Sequence, residues 1–238
     1  MNAVIFALAF AAIAALLCAA LSRIDRRVSF ASALLCAAYL GLDDLVTGLP
    51  SVSATFDVIG GGWNWSGKLY SLLLSMAVLF SLGIRPAAAG LTLQQRNVGT
   101  SLVALVLFGV WGFALGWVFQ PGAADVETYL FQATMPGLSE ELVYRGIAPA
   151  ILLGLLRGRN AEPGMPWGII FVTALVFGTW HGLGYGGGGF SFDGLSALFP
   201  FIGSVAGGWL RFHSGSLLFP VLAHGLANVA YYVGSMAG

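Results

Sequence analysis

Eight stretches of this chain are apolar for long enough to cross a bilayer, and that leaves few folds open. A spanning helix needs about 20 mostly apolar residues, because the hydrocarbon core is about 30 Å thick and a helix rises about 1.5 Å per residue. Runs at 3–21, 29–48, 68–84, 99–119, 129–156, 166–184, 195–210 and 216–236 meet or approach that length. Backbone polar groups in lipid must be paired within their own segment, so such runs become helices. The expected fold is all-α, a polytopic integral membrane bundle of about eight transmembrane helices. Only 8% of residues are charged while 58% are hydrophobic, and 34 are glycine, which lets helices approach backbone to backbone.

The cations set the orientation, since short cytoplasmic loops carry the Lys and Arg excess. Arg23, Arg26, Arg27, Arg85, Arg96, Arg157, Arg159 and Arg211 fall in alternate connections, with Lys68 alone at an opposite end. Both termini are therefore expected outside, in a plasma (bacterial inner) membrane. The first run is not an ordinary signal peptide, because its arginines follow the apolar core. Residues 1–98 are expected to form an N-terminal unit of about three spans and 99–238 a transmembrane core. Trp63, Trp65, Trp117, Trp167 and Trp209 lie near span ends, as interfacial anchors do. Cys18 and Cys36 lack metal or disulfide spacing and serve as small hydrophobes. Zero formal net charge points to no nucleic acid. The glycine run at 184–190 reads as a loose external loop, without the strand and helix context of a phosphate site.

Ionisable groups at membrane depth cost a few kcal/mol each and persist where they face a bundle interior, a cavity or one another. Here they concentrate in three spans: Glu140, Glu141 and Arg145 in the fifth, His181 in the sixth, and His224 with Asn228 in the eighth. Asp43 and Asp44 are expected to be helix-end or interface residues, and His213 an interfacial one. Glu141 and Arg145 stand at i and i+4, the spacing of an ion pair on one helix face. Glu140 is rotated about 100° away, which leaves it available for chemistry while its neighbour is neutralised. His224 and Asn228 share another i, i+4 face.

A glutamate in a low-dielectric site can take a proton from water, a histidine can share that proton or donate to an oxyanion, and an asparagine can donate as well. Two His and one Glu, with a second Glu as base, also match an open catalytic zinc site. Glu140, Glu141, His181 and His224 are the candidate ligands. Both schemes place a water beside a glutamate, and the residues alone leave the choice between a divalent metal such as zinc and none open.

Three ordered motifs carry a resemblance. "EELVYRG" fits E-E-x-x-x-R, "FGTWH" fits F-x-x-x-H, and "HGLAN" fits H-x-x-x-N. Over 128–232 the chain resembles the CPBP family, the CAAX protease and bacteriocin-processing (Abi) intramembrane proteases related to type II CAAX prenyl endopeptidases. That resemblance implies that Glu140, with His181, activates water, that His224 and Asn228 stabilise the oxyanion, and that Glu141 and Arg145 support the site. Tyr144 stands where Phe is frequent. The implied function is an intramembrane endopeptidase acting on a peptide or protein substrate at the lipid bilayer. A proton-coupled transporter and a non-catalytic bacteriocin-immunity protein are the competing readings. Straight helices would hold His181 and Glu140 apart from His224, so a bend is expected, with Pro136, Gly137 and Pro220 as its sources.

Overall fold

The computed structural model describes residues 2–158 and 164–237, so Arg159 lies outside the described residues. Each expected span contains helix. The elements are α1 (Asn2–Ile24), α2 (Phe30–Thr47), a single turn α3 (Leu49–Val52), α4 (Trp65–Ser81), α5 (Val98–Phe119), α6 (Val126–Glu141), α7 (Ala148–Leu152), α8 (Trp167–Gly182), α9 (Gly194–Ser214) and α10 (Leu218–Gly234). By length and composition α1, α2, α5 and α9 are long and apolar enough to cross a bilayer, while α8 and α10 are apolar but shorter.

The distribution of side-chain size identifies the solvent. On α5 the buried positions are Ser101, Ala104, Gly112 and Gly116, whereas Val103, Val106, Leu107, Val110 and Val118 are exposed. A water-soluble helix hides its large apolar side chains. This one turns them outward and packs with its small ones, which is favourable where the surroundings are as apolar as leucine. It is a membrane protein.

α1 packs on α2, α8 on α9, and α10 is flanked by α5 and α6. The connections that carry the arginines meet at one end of the bundle: the Arg157 amide donates to the Leu82 carbonyl and the Arg96 amide to that of Ser214. At the other end Asn64 caps α4, its Oδ1 accepting from the Gly67 amide at 3.0 Å and its Nδ2 donating to the Thr47 carbonyl at 3.0 Å. Removing a cap of this kind costs about 1 kcal/mol. Asn64→Ala is expected to lower the thermal unfolding midpoint in detergent by a few degrees.

The expected bend appears in a different place. Pro136 sits within α6 without ending it, and Pro220 lies in the first turn of α10, where a missing N–H leaves no bond unmade. Instead, Leu142–Ile147 form a π-helical turn between α6 and α7. Pro149 supplies the reason: it has no N–H for the Arg145 carbonyl, and its ring clashes with an α-helical approach at that point. The wider turn begins directly after Glu140 and Glu141 and contains Arg145.

The glycine-rich segment is more ordered than a loose loop. β1 (Leu183–Gly186) and β2 (Gly189–Phe192) pair antiparallel, with Leu183 opposite Phe192 and Gly186 opposite Gly189. Gly187 and Gly188 have φ of 59° and 81°, the two positive values that a tight hairpin turn of this twist requires. Tyr185 packs against Phe190 across the pair, ring centroids 4.7 Å apart.

Candidate active site

α6 places Glu140 and Glu141 at its inner end, both buried. Glu141 Oε1 lies 3.1 Å from Arg145 Nη1, so the i, i+4 pair forms across the start of the π turn. The Arg145 guanidinium also sits 4.7 Å from the centre of the Phe177 ring on α8, and Tyr144 meets that ring edge-on at 4.8 Å. The phenylalanine of "FGTWH" is thus the platform on which the E-E-x-x-x-R segment rests.

Phe177 has a second task. Its carbonyl is 3.0 Å from His181 Nδ1, and a carbonyl only accepts, so Nδ1 carries hydrogen and the neutral ring keeps its lone pair on Nε2. On α10 the same logic applies to His224, whose Nδ1 donates to Glu141 Oε1 at 2.8 Å. Its Nε2 then faces Glu140 Oε2 at 3.7 Å. That gap is too long for a direct hydrogen bond. Asn228, one turn further along, donates from Nδ2 to Gln132 Oε1 at 3.0 Å.

Glu140, His181, His224 and Asn228 line one cavity of about 500 Å³, together with Gln132 and Lys68. His181, His224 and Asn228 also line a second, more apolar cavity of about 210 Å³ that includes Glu141, Phe108 and Trp111. Every residue expected at the site is therefore brought to one place, and the separation expected of straight helices does not arise.

Three expectations need correction. Glu140 does not lack a cation, because Lys68 Nζ donates to its Oε1. Lys68, counted from sequence as a cation at an outer end, is in the first turn of α4 with its side chain turned inward. Asp43 and Asp44, expected at a helix end or an interface, do lie near the end of α2 but are engaged inward: Asp43 is buried and accepts from Ser71 Oγ at 2.7 Å, and Asp44 accepts from Trp180 Nε1 at 2.6 Å. These aspartates, Lys68 and Glu140 line one small pocket. The site consequently draws on α2 and α4 as well as on the expected core, and Gln132 is a further residue that motif spacing did not single out.

The candidate metal ligands do not form a metal cradle. A catalytic zinc takes three protein ligands, and no three His, Cys, Asp or Glu side chains converge in that way among the described residues. Glu140 already receives an ammonium, and Glu141 a guanidinium and an imidazole N–H. The arrangement is one of carboxylates with organic counterions.

A family model described as type II CAAX prenyl endopeptidase Rce1-like matches residues 123–230. No curated protein and no solved structure matches the chain. The matched segment begins two residues before the α6 N-cap Asp125, ends within α10 and contains all three motifs, while the cavity they line also takes Thr47, Trp63, Asn64 and Lys68 from outside it. Over residues 123–230 the chain is thus similar to the type II CAAX prenyl endopeptidase Rce1-like family.

Proposed function

We propose that this protein hydrolyses a peptide bond of a membrane-associated peptide or protein, with Glu140 as general base. The observation that carries the reading is the convergence of Glu140, His181, His224 and Asn228, from three helices, on one cavity of about 500 Å³. Water held between Glu140 Oε2 and His181 Nε2 gives its proton to the carboxylate as its oxygen bonds to the substrate carbonyl carbon. The carbonyl π pair moves onto oxygen. That oxyanion accepts from Asn228 Nδ2 and from His224 Nε2 when the ring carries its second proton. Collapse restores the C=O, breaks the C–N bond and passes the proton from Glu140 to the leaving amine. Glu141 and Arg145 hold the His224 ring through Nδ1. A bacterial inner membrane with both termini outside is the setting this reading takes, and the excess of arginine in alternate connections supports it.

The test is cleavage of a peptide library, prenylated and unprenylated members included, by the purified protein in proteoliposomes, read by mass spectrometry of the new termini. Cleavage is expected and is expected to persist with a strong chelator, because both glutamates have counterions of their own. Absence of any product alongside proton flux across the vesicle wall would favour the transporter reading, for which the buried run of Lys68, Glu140, His224, Glu141 and Arg145 offers a relay. Loss of cleavage on chelation, restored by zinc, would replace the metal-free scheme.

A further inference from the structure

The catalytic carboxylate is held by a residue from outside the matched segment. We propose that Lys68 is a positioning residue for Glu140, an inference that rests on the hydrolase reading above. Lys68 is buried, its side chain only 10% exposed, and it reaches from the first turn of α4 across 72 positions of sequence to Glu140 Oε1. An ammonium has three donors and no acceptor. It therefore fixes which carboxylate oxygen is occupied: Oε1 is held, and Oε2 is left facing His224 Nε2 and the cavity.

The surroundings of Lys68 keep it in place. Its Nζ lies 5.5 Å from the centre of the Trp180 ring, and that indole is tied to Asp44 on α2. Asp43, tied to Ser71 on α4, lines the same small pocket. Trp180 immediately precedes His181, so one buried frame of α2, α4 and α8 sets both the base and the histidine beside it. Glu141 has its own cation from the helix that bears it, and Glu140 takes its cation from elsewhere in the bundle. Two neighbouring carboxylates thereby receive separate partners and separate directions.

The experiment compares the parent protein with Lys68→Met, Lys68→Arg, Glu140→Gln and the double variant Lys68→Met with Glu140→Gln, all in proteoliposomes. A reacting group displaced by about 1 Å costs on the order of 100-fold, so Lys68→Met is expected to lower kcat by about that factor while KM stays within about 3-fold. Lys68→Arg, which keeps a charged donor, is expected to return kcat to within about 10-fold of the parent. Thermal unfolding of the parent, Lys68→Met, Glu140→Gln and the double variant provides a cycle free of catalysis, in which the double variant is less destabilised than the sum of the two single ones. A Lys68→Met protein that keeps full kcat while Glu140→Gln is inactive overturns the Lys68 inference alone. Additive unfolding shifts overturn it too, and so does a loss of kcat that Lys68→Arg does not recover. Turnover that survives in Glu140→Gln strikes instead at the hydrolase reading.

Discussion

Glu140→Gln is expected to reduce peptide cleavage by at least about 1,000-fold, within the range that a general base contributes, while leaving a folded, membrane-inserted protein. The side chain keeps its length, and its amide oxygen still accepts from Lys68 in place of Oε1. What disappears is the second oxygen that faces His224 Nε2 at 3.7 Å. An NH2 group there donates and cannot take a proton from water. Losing one charge of a buried pair costs several kcal/mol when the partner is left bare, but the retained hydrogen bond and the nearby Asp43 and Asp44 carboxylates limit that cost for Lys68. Product formation followed by mass spectrometry, with thermal unfolding of the same samples, separates lost chemistry from lost fold. Turnover within about 10-fold of the parent would remove Glu140 from the role of base, since one proton-transfer residue is worth about 100-fold or more.

What was legible in the sequence is what a single helix determines. The Glu141–Arg145 pair follows from i, i+4 spacing and is found at 3.1 Å. The face shared by His224 and Asn228 follows from the same rule, and both line the cavity. Contacts between helices obey no such rule, because they depend on rotation and tilt that local periodicity does not encode. Lys68 shows the consequence. Counting cations by connection treats each as a solvated loop charge, yet α4 begins at Trp65 and carries Lys68 into its first turn. Asp43 and Asp44 read from sequence as helix-end or interface residues for the same reason, and they do lie close to an end of α2, yet a side chain from α4 and another from α8 reach them.

The π turn was equally hidden. Pro136 and Pro220 are visible helix breakers, but neither breaks its helix, and the irregularity falls at Leu142–Ile147, upstream of Pro149. A proline disturbs the turn that precedes it, through the carbonyl four residues back. The segment displaced by Pro149 therefore includes Arg145 and adjoins the two glutamates. The two glutamates end the regular helix and already point about 100° apart, and the π turn carries the cation of Glu141 alone, while that of Glu140 comes from α4.

A second large effect is expected far from the chemistry. Gly112 and Gly116 on α5 lie against the backbone of α10, where a methyl group on the first would land on the Ala227 carbonyl and on the second on that of Tyr231. Gly225 and Gly137 make the matching approach between α10 and α6, against the carbonyls of Ala133 and Val221. α10 is thus clamped between two backbones, and it carries both His224 and Asn228. Gly116→Leu must push the clamp open, because backbone cannot rotate aside as a flexible side chain does. Overpacking of this kind costs about 3 kcal/mol, and displacement of the site residues by about 1 Å costs on the order of 100-fold in turnover. Gly99→Ala on the same helix is the control: a methyl group there meets nothing within 4 Å, and removing a helical glycine stabilises by up to about 1 kcal/mol. Thermal unfolding and cleavage measured on both variants should diverge, with Gly116→Leu low in both and Gly99→Ala at or above the parent. Equal behaviour of the two would mean that close packing of α5 on α10 does not hold His224 and Asn228 in place.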